Sequence, residues 1–98
     1  MTFIYILTNK PYGTLYIGLT TNLVKRIDDH KNKVVKGFTA KYNLTNLVYY
    51  EIHEDIEKAA QRERLMKKWK RDWKIELIEK ANPQWYDLYE DLAKKVMN

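Results

Sequence analysis

Phe3-Ile4-Tyr5-Ile6-Leu7-Thr8 and Thr14-Leu15-Tyr16-Ile17-Gly18-Leu19 are two β-branched and aromatic runs joined by Asn9-Lys10-Pro11-Tyr12-Gly13. The runs have strand composition and the connection carries turn residues, so the chain opens as an antiparallel hairpin. Next, Thr20-Thr21-Asn22 offers capping side chains ahead of Leu23, Arg26, Ile27 and His30, which recur at helical spacing. A first helix of about two turns is expected, ended by the polar stretch from Lys31 to Asn43. Leu47 to Ile52 reads as a third strand. Asp55 can cap a long helix whose apolar stripe is Ile56, Ala59, Ala60, Met66, Trp69 and Trp73, with a break near Arg71-Asp72. Trp73, Ile75, Leu77 and Ile78 continue the pattern until Asn82-Pro83 stops it, and Trp85, Leu88, Leu92 and Val96 mark a final amphipathic helix. With strands first and helices mostly after, the expected class is α+β, a small three-stranded antiparallel sheet flanked by helices.

Composition narrows the function. The 98 residues, 45% apolar and 32% charged, fit one domain over residues 1–98 with a single core. Absence of cysteine excludes disulfides, thiolate zinc sites and a cysteine nucleophile, and suits the cytoplasm. The N-terminal apolar run is far too short for a membrane span or a signal-peptide core. A net charge of +5 favours polyanionic partners, nucleic acid before an anionic membrane surface. Much of the charge lies between Lys58 and Lys74, where Lys67, Lys68 and Arg71 are candidate phosphate contacts, with Lys41 upstream. The same run also fits an ordinary solvated helix face.

Several residues carry possible chemistry. Glu63 falls inside the apolar stripe of its helix, where a partly buried carboxylate needs a partner or a metal. It can pair with Lys67 one turn on, or hold Mg²⁺ with waters and substrate phosphate completing the shell. Arg26 and His30, four residues apart, share one helix face and suit phosphate recognition; Arg26 can equally pair with an acid and His30 sit near the helix end. A structural zinc site at His30 is disfavoured, since His53 is the only other histidine. Tyr5 and Tyr16 lie on the two hairpin strands, where their hydroxyls can meet at one mouth of the sheet or the rings can simply pack. A tyrosine acting as base must lose a proton roughly three units below its usual pKa, about 4 kcal/mol, part of which a neighbouring cation can supply. Asn82, by itself, ends a helix before a proline.

Taken together, Tyr5, Tyr16-Ile17-Gly18-x-Thr20, Arg26, His30, Leu47-Val48-Tyr49 with Glu51, Arg62-Glu63, Lys67-Lys68-Trp69 and Asn82-Pro83-x-Trp85 resemble the GIY-YIG nuclease family, small stand-alone members above all. The resemblance covers most of the chain. One departure is Phe3, which stands where the family name has glycine.

The resemblance implies a three-stranded antiparallel sheet with packed helices and a one-metal cut of a phosphodiester. In that picture Tyr16 is the base for the attacking water, though either tyrosine can serve, and Tyr5 positions water or substrate. Arg26 stabilises phosphate charge, Glu63 binds a Mg (or Mn) cation, His30 assists proton transfer or holds the phosphate, and Asn82 orients the site. The expected function is a metal-dependent DNA endonuclease, non-specific or selective for structure, in DNA repair or recombination, with DNA ahead of RNA. The alternative is a non-catalytic nucleic-acid-binding module on the same scaffold.

Overall fold

The computed structural model describes residues 1–97, without the side chains of residues 96 and 97. Its sheet has three antiparallel strands, β1 (Thr2–Thr8), β2 (Leu15–Thr20) and β3 (Asn46–His53), in the order β2-β1-β3. The central β1 is paired along both edges, Tyr5 lying opposite Gly18 on one side and Tyr50 on the other. Between Ile6, opposite Tyr49, and Leu7, opposite Leu47, the register shifts and Val48 is the extra residue of a bulge in β3.

Five helices accompany the sheet: α1 (Leu23–Lys31), α2 (Phe38–Lys41), α3 (Ile56–Lys68), α4 (Arg71–Ala81) and α5 (Tyr89–Met97). Alternation along the strands sends side chains to opposite faces, and each face has its own core. Ile4, Ile6, Ile17 and Val48 pack with Met66 of α3, Ile78 of α4 and Trp85. Tyr5, Leu7 and Leu47 pack with Leu23 and Ile27 of α1, Leu44 and Leu92 of α5. Because helices cover both faces, nearly every residue of β1 is buried, and each large apolar side chain removed from water contributes about 1.5–3 kcal/mol.

Local chemistry explains most boundaries. The side chain of Asn22 accepts the backbone N–H of Lys25 at the start of α1, and that of Asp55 accepts those of Glu57 and Lys58 at the start of α3. One detail agrees with the sequence expectation and one differs. The break in the long helical stretch falls at Trp69 and Lys70, both extended, just before Arg71-Asp72. Trp85 does not begin the last helix; it sits in a left-handed turn at φ 57°, buried, with its indole N–H donated to Glu79. The expected inward position of Val96 lies outside the described side chains.

Candidate active site

The reason Tyr5 can sit where it does is Gly18. A Cβ at Gly18 would stand 2.3 Å from both Cζ and the hydroxyl oxygen of Tyr5, so the phenol lies across a strand position that tolerates no side chain. Since β2 is an edge strand, that placement carries the hydroxyl of a central-strand residue to the border of the sheet. Tyr16, two residues before Gly18, projects from the same face, and its ring centroid lies 6.3 Å from that of Tyr5.

Helix α1 delivers the next two groups. Asn22 starts the helix directly after β2, so Arg26 and His30, one turn apart, reach back over the tyrosines. Arg26 Nε donates to the Tyr5 hydroxyl oxygen at 3.5 Å, and His30 Nε2 lies 3.1 Å from the same oxygen. The His30 ring also packs 5.8 Å from Tyr5 and 5.9 Å from Tyr16. Its second nitrogen, Nδ1, is 3.0 Å from Thr39 Oγ1 on α2, which gives the imidazole a partner at each end. In the neutral ring one nitrogen donates and the other accepts, and both are satisfied here.

Burial sets the electrostatics. His30 is 2% exposed, and burial together with the charge of Arg26 holds its pKa below the ordinary value. Burial pushes the Tyr5 phenol up, partly offset by the hydrogen bond from Arg26, while Tyr16 and Glu63 push it further up. Arg26 is held firmly charged by its bond to Tyr5, and no carboxylate forms an ion pair with it among the described residues. An open cleft of about 360 Å³ adjoins Arg26, with Thr20 and Thr21 on its wall.

Glu63 arrives from α3, on the other side of the sheet, near enough for its charge to act on Tyr5. Its side chain is 15% exposed and pairs with Lys67 at 3.3 Å. Such a pair with a flexible, half-exposed lysine is weak, so the carboxylate can be drawn to another cation. Among the described residues no three His, Cys, Asp or Glu side chains gather around a metal position. A hard cation here would have one protein carboxylate, which fits Mg²⁺, an ion that keeps several waters and shares a phosphate oxygen.

The chain matches the GIY-YIG catalytic domain over residues 1–76. It belongs to the GIY-YIG nuclease family. A UPF0213 protein of Clostridium perfringens is 40% identical over 78 residues, covering 80% of this chain and 83% of the relative. A UPF0213 protein of Syntrophus aciditrophicus is 34% identical over 83 residues, covering 84% and 93%, and one of Bacillus cereus is 34% identical over 71 residues, covering 72% and 74%. No solved structure matches the chain. The expected α+β fold with three antiparallel strands is the one observed for this GIY-YIG chain. GIY-YIG nucleases generally use a divalent metal and act on nucleic acid. No helix among the described residues is long and apolar enough to cross a membrane.

Of the residues singled out in the sequence, Tyr5, Tyr16, Arg26 and His30 touch one another, Glu63 acts on Tyr5 through its charge, and all five fall within the GIY-YIG match. Asn82 does not join them. It is the buried C-cap of α4, its amide donating to the carbonyls of Val48 and Tyr86 and accepting the Tyr86 N–H. Arg71 is also engaged elsewhere, donating to the carbonyls of Tyr12 and Gly13 in the β1–β2 turn. Lys67 pairs with Glu63, Lys68 is exposed, and Lys41 lies over the ring of Tyr42.

Arg62 holds α3 to β3 through Glu51. Burial tends to raise the Glu51 carboxyl, but bonds from Arg62, Tyr49 and His53 outweigh it, and its pKa is lowered. The sequence carries no signal for Thr39: it lies in a polar stretch, and a four-residue helix is too short to show periodicity.

Proposed function

We propose that this protein is a metal-dependent endonuclease that hydrolyses phosphodiester bonds in DNA, with residues 1–98 acting as one domain. The observation that carries the reading is the gathering of two phenols, a guanidinium and an imidazole from β1, β2 and α1 at one edge of the sheet. Packing alone does not require that set, since apolar side chains would fill the same volume at less desolvation cost.

The roles follow from exposure and partners. Arg26 has its Nε on Tyr5, which leaves the other guanidinium nitrogens to bind a phosphate and stabilise the charge that builds during attack. Tyr16 is the more open phenol and addresses the attacking water. Tyr5 is almost fully buried and positions the water and Arg26. Arg26 Nε donates to the Tyr5 oxygen and His30 Nε2 lies within hydrogen-bond reach of it, while His30 Nδ1 is anchored at Thr39, so the phenol is held from two sides. His30, kept neutral by burial, holds the Tyr5 hydroxyl in place through this contact.

Glu63 would hold the divalent cation, Mg²⁺ or Mn²⁺, which supplies positive charge to the phosphate when bound. Asn82 orients the site from a distance by fixing α4 against β3. Lys67, Lys68 and Lys41 supply phosphate contacts, whereas Arg71 contributes through the turn it ties down. Work in DNA repair or recombination is consistent with little sequence preference.

The test is cleavage of labelled single-stranded, duplex, flap and branched DNA with Mg²⁺ or Mn²⁺, wild type beside Glu63→Gln, and EDTA as control. Metal-dependent cutting should disappear in the variant while DNA binding is retained. Binding without cutting across the panel would establish the non-catalytic module instead.

A further inference from the structure

The aromatic cluster does not stop at Tyr16. The Phe38 ring lies 6.4 Å from Tyr16 with the planes 30° apart, and Tyr42 lies 4.8 Å beyond Phe38. Both rings belong to α2 and its C-cap, where Thr39 is the buried residue. Phe38 is 50% exposed and Tyr42 44% exposed, so much of each ring faces solvent. Lys41 Nζ is 5.4 Å from the Tyr42 ring centroid, adding a cation to the same surface. The core requires Thr39 of this helix; it gains little from the two rings.

We propose that Phe38, Tyr42 and Lys41 form a stacking platform for unpaired bases of a single-stranded nucleic acid whose scissile phosphate lies at Arg26. The location of that phosphate rests on the nuclease reading above. Tyr16 bridges the two regions, touching the Tyr5 ring, whose hydroxyl meets Arg26, on one side and Phe38 on the other, so one strand can run from Arg26 onto α2. In a duplex each base already has neighbours on both faces, and the platform has nothing to stack on. Unpaired bases present their faces, and Lys41 meets the adjoining phosphate. The platform therefore selects single strands, flaps and loops over intact duplex.

Binding is measured without cleavage, in EDTA and in the Glu63→Gln background, by fluorescence anisotropy of a single-stranded DNA of about 12 nucleotides and of its duplex. Each of Phe38→Ala and Tyr42→Ala should lose roughly 5- to 100-fold in single-strand affinity, with duplex affinity unchanged. Tyr42→Phe should restore binding, and Tyr86→Ala, at an exposed ring outside α2, should leave it intact. A 2-aminopurine in the strand should be quenched by the parent protein and less so by the two alanine variants. Wild-type affinity in both variants, or parallel losses on single strand and duplex, overturns the platform. A chain that stacks bases yet never cuts refutes the nuclease reading alone; one that cuts with unchanged strand preference in both variants refutes the platform alone.

Discussion

Gly18→Ala is the sharpest perturbation of this site, because one methyl group meets Tyr5 with no room to spare. The added Cβ would lie 2.3 Å from Tyr5 Cζ and its hydroxyl oxygen and 2.8 Å from Cε1, whereas carbon atoms rest at about 3.5–4.0 Å. The end of the ring must therefore retreat by more than an ångström. Tyr5 is only 1% exposed and its oxygen is held by His30 and Arg26, so the retreat breaks those bonds as well as straining the core. Overpacking of this kind costs about 1–3 kcal/mol and the two lost hydrogen bonds about 1 kcal/mol each, giving roughly 3–5 kcal/mol.

That is a large part of the ~5–15 kcal/mol that holds a domain of this kind together. Alanine is otherwise favoured over glycine in a strand by about 0.5–1 kcal/mol, so a net loss can be assigned to the clash. Urea unfolding should show a lower midpoint with unchanged m-value, and cleavage should fall with it. Adding Tyr5→Leu removes the ring end, and the two changes together should destabilise by less than their sum. A wild-type midpoint for Gly18→Ala, or strict additivity with Tyr5→Leu, would refute the reasoning.

Three further outcomes are expected. His30 has a folded pKa below its unfolded value near 6.5, so the unfolded chain takes up the proton first as pH falls; the stability due to neutral His30 is complete above about pH 6.5 and declines below it. The urea midpoint should drop between pH 7 and pH 5, and His30→Gln should flatten that slope; identical slopes would assign the effect to another group. Asn82→Ala removes a buried amide with three backbone partners and should cost about 2–4 kcal/mol, with cleavage per folded molecule far less affected than in Glu63→Gln, as separate unfolding and rate measurements would show. Arg71→Ala frees the Tyr12 and Gly13 carbonyls at the surface and should lower stability by about 1 kcal/mol while leaving the salt dependence of DNA binding nearly unchanged; a shallower slope would instead make Arg71 a phosphate contact.

The three strands, the caps Asn22 and Asp55 and the stop at Asn82 were legible in the sequence because each depends on neighbours in the chain: β-branched runs, side chains bonding the next backbone N–H groups, a proline after a helix. The pairing of Glu63 with Lys67 was open to the same reasoning, since one helical turn joins them. Convergence of Glu63 from one side of the sheet with Arg26 and His30 from the other was not. It depends on which strand lies at the edge and on the gap that Gly18 leaves for Tyr5, contacts between residues far apart in the chain. For the same reason the sequence does not show Thr39 as a partner of His30, nor the hydrogen bonds by which Asn82 and Arg71 hold segments away from the tyrosines. Local hydrogen bonding and periodicity are encoded over a few residues and can be read in order, while the environment of a polar side chain is set by whatever the completed fold brings against it.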